Sequence, residues 1–230
     1  MKNTIVENKK GFKETKLGWI PEDWEMIKLE DIGVTVTGLT YSPNMVSEEG
    51  TLVLRSSNVQ NRVLKFDDNV YVNVVEEGFN KTKIGDILIC VRNGSRSLIG
   101  KNAIIDEVSA GTAFGAFMLI FRSIDYKFLY QLFDTDYYSR EIHRNLGATI
   151  NSINTNNLKK FRFPYPKKEE RILIANCLST WDTAIVKQEA LIREKKQLKK
   201  ALMQQLLSGK KRLSGFSEEW QENRLDFFFE

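Results

Sequence analysis

Histidine occurs once in these 230 residues, at His143, and cysteine twice, at Cys90 and Cys177. A single imidazole puts His-based metal sites and most triad chemistry out of reach. The two cysteines lie far apart, each inside an apolar stretch, so neither a disulfide framework nor a zinc site follows from them. Proline is confined to Pro21, Pro43, Pro164 and Pro166, with no two adjacent, which excludes any motif built on a Pro-Pro pair. Runs of about 18 apolar residues, the length a transmembrane helix needs, are missing. The opening Met1–Lys10 lacks the continuous apolar core of a signal peptide, so the cytoplasm is the expected compartment. No metal, no cofactor and no membrane is expected as a partner. What is present suffices for a folded core. Hydrophobic residues make up 42% and charged residues 28%, which are globular proportions, and the length fits about one and a half domains.

Acid is also missing locally. The net charge is only +4, yet residues 187–212 hold nine basic and two acidic side chains. Three windows contain no acid at all: residues 50–66 with Arg55, Arg62 and Lys65, residues 87–105 with Arg92, Arg96 and Lys101, and residues 142–168 with Arg144, Lys159, Lys160, Arg162, Lys167 and Lys168. A polyanion-binding protein needs such basic faces, because phosphate neutralisation supplies most of its non-specific affinity. A solvated surface whose acids lie elsewhere would look the same by charge alone.

The first 150 or so residues alternate short apolar runs with turn residues. Thr51–Leu54, Val70–Val75, Ile87–Val91 and Phe117–Arg122 have the β-branched and aromatic content of strands. One helix is expected from Tyr126 to Leu146, and Pro164 and Pro166 should close the mostly-β section. From Lys168 to Ser208 there is neither proline nor glycine, and apolar residues recur at helical spacing. This predicts one amphipathic helix of about 40 residues, roughly 60 Å long, stopped by Gly209. The fold class is therefore α+β, a mostly-β domain with a few helices followed by one long coiled-coil helix.

An internal repeat gives the organisation. Leu17-Gly-Trp-Ile-Pro-Glu-Asp-Trp24 near the start is echoed by Leu213-Ser-Gly-Phe-Ser-Glu-Glu-Trp220 near the end. Lys28/Arg224, Leu29/Leu225, Glu30/Asp226 and Ile32/Phe228 keep the same offset as Trp24/Trp220. The expected division is 1–166 for the domain, 167–209 for the helix and 210–230 for the opening of a second unit.

Several segments then resemble one family. Gly147-Ala-Thr-Ile-Asn-Ser-Ile-Asn154, Phe161-Arg-Phe-Pro-Tyr-Pro166, Glu169-Glu-Arg-Ile172 and Leu198-Lys-Lys-Ala-Leu-Met-Gln-Gln-Leu-Leu-Ser-Gly209 are similar to conserved stretches of type I restriction–modification specificity subunits. Gly18-Trp-Ile-Pro-Glu-Asp-Trp24 is similar to their opening. The match departs where Tyr165 separates the prolines, where Glu169-Glu170 stands for Glu-Gln, and where a second target-recognition domain would follow. The resemblance implies a half-length form with one target-recognition domain. It also implies that double-stranded DNA is the ligand, and that modification subunits supply adenine methyltransferase chemistry while a restriction subunit, where present, supplies cleavage. This chain would then be non-catalytic.

Its motifs agree. Gly94-Ser-Arg-Ser-Leu-Ile-Gly100-Lys101 has one residue too many for a phosphate loop, and Asn102 stands where Ser or Thr should hold magnesium. Two other classes stay open at this point. A self-standing homodimeric DNA-binding regulator would use the long helix to dimerise, and a coiled-coil scaffold would have no DNA role.

Direct readout needs Arg for guanine and Asn or Gln for adenine. Arg92, Asn93, Ser95 and Arg96 follow one expected strand, and Arg55, Ser57 and Asn58 follow another. These are the leading candidates for base or phosphate contacts. Thr40 and Tyr41 could reach DNA from a neighbouring turn, and Lys101, Thr149, Asn151 and Asn154 are candidates for phosphate. For each of them an ordinary surface turn is the alternative. On the helix, Leu178, Trp181, Ile185, Ile192, Leu198, Leu202 and Leu206 form the expected seam of an antiparallel homodimer, which would read an interrupted palindrome. The purified chain, free of partner subunits, should transfer no methyl group to DNA, cut no DNA and hydrolyse no ATP. Methyl transfer detected in such a preparation would overturn the non-catalytic reading.

Overall fold

A strand that is apolar at every position has no solvent face and belongs in the middle of a covered sheet. Ile87–Cys90 is such a strand, and all four residues are buried. In this computed structural model, which describes residues 10–74, 78–146 and 151–220, it pairs antiparallel with Asn102–Ile104 on one side and Met118–Arg122 on the other. Val34–Thr37 completes the sheet beyond Met118–Arg122. The register sets Ile87 opposite Phe121 and Cys90 opposite Met118. A second sheet has the order Ala113–Phe114, Thr51–Leu54, Tyr71–Val72, Val46–Ser47. Its first pair is parallel and the others antiparallel. The expected strand at 70–75 is thus real but short, and its last position, Val75, lies outside the described residues. The expected α+β class is the one found.

Glycine is forced where backbones meet. A Cβ at Gly38 would lie 2.3 Å from the Gly115 carbonyl oxygen, so no other residue fits that crossing. At Gly100, φ is +89° and a Cβ would press on Ile142.

Two expectations are corrected. The single helix expected over 126–146 is two helices, Tyr126–Leu132 and Asp136–Asn145. At the break Thr135 Oγ1 donates to the Leu132 carbonyl at 2.7 Å, and Asn102 Nδ2 donates to the Phe133 carbonyl at 3.2 Å. Carbonyls that would serve a continuous helix are thereby satisfied, and the Phe133 ring, 2% exposed, stacks 4.7 Å from Tyr138. Periodicity alone cannot register such a break, because both halves keep the apolar spacing. The second correction is Pro164, which lies inside the strand Arg162–Tyr165, opposite Met26 of Glu25–Lys28. That pair is a two-stranded ribbon, whose outer edges demand no partner, so a residue without N–H is tolerated.

The chain divides into two compact units, Met1–Leu178 and Ser179–Glu230. The helix Lys168–Leu207 has 40 residues, as the composition foretold. Within the first unit its opening turns are held by side chains. Trp24 Nε1 donates to Glu170 at 3.0 Å. Arg171 lies 3.1 Å from Asp125, donates to the Pro166 carbonyl at 2.6 Å, and stacks 3.9 Å over the Tyr165 ring. The Tyr165 hydroxyl also donates to Asp125, and burial, then Asp125, pushes that phenol far above its usual range. In the second unit the expected seam stands open to solvent at Leu178's neighbour Trp181 (67% exposed), Ile185 (56%) and Leu198 (52%). Gly209, with φ +71°, follows the helix end, and Trp220 packs against it.

The Arg171 and Asp125 side chains are 11% and 15% exposed, so removing one strands the other. Asp125→Ala should cost about 3 kcal/mol in urea unfolding. Asp68→Ala, which breaks an ion pair with Arg55 whose side chains are 39% and 62% exposed, should stay within about 0.5 kcal/mol. Equal midpoints for the two variants would refute the assignment.

Candidate nucleic-acid interface

Four turns meet where the two sheets end. Beyond Cys90, the amides of Val91 and Arg92 both donate to the Phe117 carbonyl, at 3.0 and 3.1 Å. Arg92 also bridges Ser152, and Ile153 N donates to the Val91 carbonyl at 2.8 Å. Asn93 then ties three segments together. Its amide N donates to the Asn151 carbonyl at 3.2 Å, its Nδ2 to Ser56 Oγ at 2.9 Å, and its Oδ1 accepts from Ser95 N at 3.0 Å. Asn151 Nδ2 reaches back to the Gly94 carbonyl at 2.9 Å. The fourth turn is joined through the backbone, Leu39 N donating to the Phe114 carbonyl at 2.7 Å and Ala116 N to the Leu39 carbonyl at 2.8 Å. Thr40, Tyr41, Arg55, Ser57 and Phe117 line a cleft of about 500 Å³ between these turns.

Most of the residues expected from sequence are therefore neighbours, although they come from segments up to about 100 residues apart. Arg92, Ser95 and Arg96 are exposed. Neither arginine forms an ion pair among the described residues, which leaves both charges available to a polyanion. The Arg92 guanidinium lies 5.6 Å over the Phe117 ring. Arg55 approaches Asp68 at 3.4 Å, while its Nε and the hydroxyl of Ser57 are enclosed without a hydrogen-bond partner among the described residues. Asn58 is 1% exposed. Its Oδ1 accepts from Arg55 N at 2.9 Å and its Nδ2 donates to the Lys65 carbonyl at 2.9 Å, so its amide shapes the turn that presents Arg55 and Ser57.

Other candidates sit apart from the cleft. Lys101 lines a second hollow of about 400 Å³ with Arg62, Ser97 and His143. Asn154 is exposed and caps the helix Thr155–Lys159 by accepting from Asn156 N at 2.8 Å. Thr149 lies outside the described residues. Cys90 donates to the Arg92 carbonyl at 3.5 Å, and burial pushes its thiol above the usual range, which keeps it protonated and unreactive. Among the described residues no three His, Cys, Asp or Glu side chains are grouped to hold a metal, and no helix is long and apolar enough to cross a membrane.

Sequence reasoning missed Phe117 and Arg62. Phe117 reads as the first residue of an apolar strand, but the strand starts at Met118, leaving the ring on the turn, 56% exposed. Arg62 takes a positive φ of 63° beside Asn61 at 50°, forming the two-residue turn of the hairpin Val59–Gln60/Val63–Leu64. Its guanidinium lies 3.9 Å over the Tyr130 ring, whose hydroxyl donates to the Arg62 carbonyl at 2.7 Å. Asn61 hinted at such a turn, but the long-range stacking that holds Arg62 there carries no local signal.

A family model described as "Type I restriction modification DNA specificity domain" matches residues 21–200. The chain is 29% identical over 221 residues to the type I restriction enzyme MjaVIII specificity subunit of Methanocaldococcus jannaschii, covering 90% of this chain and 51% of that protein. It is 27% identical over 204 residues to the EcoKI specificity subunit of Escherichia coli, covering 84% of this chain and 43% of that one. It thus spans about half the length of the curated relatives it matches. Its fold is similar to the crystal structure of the type I restriction–modification system S subunit from M. genitalium, with a TM-score of 0.55, 20% identity, and coverage of 80% of this chain and 46% of that one.

If the four turns form one nucleic-acid face, Arg92→Ala or Arg96→Ala should weaken binding to duplex DNA without altering the unfolding midpoint. A base-edge contact should cost about 1–3 kcal/mol and relax one position of the preference, whereas a phosphate contact should weaken all sequences alike and flatten the salt slope by about one unit. Unchanged affinity in both variants would move the face elsewhere.

Proposed function

We propose that this chain, which belongs to the type I restriction–modification DNA specificity domain family, reads one half of a bipartite DNA site and directs partner subunits to it. The observation that supports this reading is that Tyr41, Arg55 and Ser57 line one cleft whose Phe117 and Ser56 are bonded to Arg92 and Asn93, with Asn151 joined to Asn93, at the ends of strands that are themselves buried. Turns held by a rigid sheet give base contacts the fixed geometry they need. In this reading the chain is non-catalytic and acts in the cytoplasm. Modification subunits bring adenine methyltransferase activity, and a restriction subunit, where the system has one, brings cleavage. Residues 1–166 form the target-recognition domain, 167–209 the spacer and dimerisation helix, and 210–230 the start of a second unit.

The same reading pairs two copies. Leu178, Trp181, Ile185, Ile192, Leu198 and Leu202 are all exposed, with Leu206 half-buried beside them. An apolar seam of this length is more than a monomer usually leaves in water. A second copy of the helix, antiparallel about a two-fold axis, is the simplest cover. Each copy would then read the same half-site in inverted orientation, so the target is an interrupted palindrome. Light scattering should give a dimer for the full chain and a monomer for the double variant Trp181→Glu, Leu198→Glu. Methylation mapping with the cognate modification subunits should give inverted half-sites. A strictly monomeric chain, or an asymmetric target with unrelated halves, would refute this arrangement.

A further inference from the structure

The cleft between Tyr41 and Phe117 has two kinds of wall. Leu39, Ala116 and the Phe117 ring are apolar, and Phe117 keeps more than half of its surface in solvent. Thr40, which is exposed, lines the same cleft and brings a hydroxyl to it, whereas Ser57 Oγ and Arg55 Nε are enclosed beneath the surface. A phosphate would find donors here, but it would gain nothing from the aromatic wall. An exposed aromatic side chain beside an exposed hydroxyl-bearing one fits a ligand that is itself part apolar and part polar along one edge.

We infer that this cleft takes the major-groove edge of an A·T pair, with the C5 methyl of thymine against Phe117 and the Thr40 hydroxyl on the adjacent polar atoms. The inference rests on the DNA-reading function proposed above and names one position of its target. In the major groove only thymine presents a methyl group, next to its O4 acceptor and the N6 donor of adenine. A hydroxyl both donates and accepts, so Thr40 suits either atom. The volume of about 500 Å³ admits a base edge and not merely a methyl. The geometry is fixed, since the Phe117 carbonyl is held by the amides of Val91 and Arg92. Arg92, 5.6 Å over the same ring, is thereby carried beside the methyl site, where it would contact the neighbouring base pair or its phosphate. Phe117 is thus a specificity-determining residue.

The test uses the full chain to select duplexes from a randomised pool, followed by affinity measurements on the enriched site with each thymine replaced in turn by uracil, which removes only the methyl. At one thymine the replacement should weaken wild-type binding about fourfold, the worth of one buried methyl-sized group. The same replacement should have no effect in Phe117→Ala, whose selected sites should no longer demand thymine there. Thr40→Ala should lower discrimination at that same position. Unfolding midpoints equal to wild type would certify both variants as folded, and Phe117→Leu supplies a second, still apolar variant that should retain the methyl effect. An unchanged site preference in Phe117→Ala overturns the inference, as does a wild-type site indifferent to every thymine-to-uracil change. Equal weakening on all sequences together with loss of DNA bending also overturns it, because the ring would then be a wedge between base steps. If wild-type chain enriches no sequence at all, the DNA-reading function itself falls.

Discussion

Two successive amides, those of Val91 and Arg92, donate to a single carbonyl, that of Phe117. Cys90 N instead bonds the Lys101 carbonyl, and Gly100 N returns to the Cys90 carbonyl. The central strand therefore ends in a clamp, not a frayed tail. A strand buried on both faces cannot shift its register without exposing apolar side chains. Whatever is bolted to its end inherits that rigidity. Arg92, Asn93 and Phe117 are bolted there directly, and Ser56, Asn151 and Ser95 join through Asn93. Removing the clamp would leave the same residues on four separate loops with no common geometry.

The long helix makes a different use of polar contacts. Its first turns are fastened by Glu170 to Trp24 and by Arg171 to Asp125, Tyr165 and the Pro166 carbonyl. Beyond them the apolar positions of the helix are mostly solvent-exposed, Ala175 being the one buried residue it contributes. The charge excess at 187–212 lies on the same stretch. A helix that is apolar along one stripe and basic beside it is suited to meet a protein partner and a polyanion in the same region.

Much of this was legible in the sequence. Within the runs at 51–54, 87–91 and 117–122, Thr51–Leu54, Ile87–Cys90 and Met118–Arg122 became strands because β-branched and aromatic residues suit pleated, covered surfaces. The 40-residue helix was readable because nothing in it breaks a helix. The turn residues around Arg55 and Arg92 could be picked out from the lack of acid and the donor chemistry they share. Less legible were the features decided by contacts between distant residues. The break between Leu132 and Asp136 depends on Asn102, the placement of Pro164 on the two-stranded ribbon it joins, and the internal role of Asn58 on a carbonyl seven residues away. Phe117 shows the limit most plainly. One residue of strand length separates a core phenylalanine from an exposed one, and local pattern does not resolve a single residue.

The division of labour between buried strands and exposed turns also bears on how such a chain changes over generations. Surface substitutions away from caps, pairs and cores usually alter stability by less than about 0.5 kcal/mol. Arg92, Ser95, Arg96 and Thr40 are exposed, so their replacement leaves the hydrophobic interior untouched. Phe117 is held through its backbone carbonyl, which any side chain would preserve. New combinations at these positions can therefore be sampled without the intermediate losses of stability that would otherwise purge them. A lineage carrying this architecture is free to change these exposed positions while its scaffold stays still.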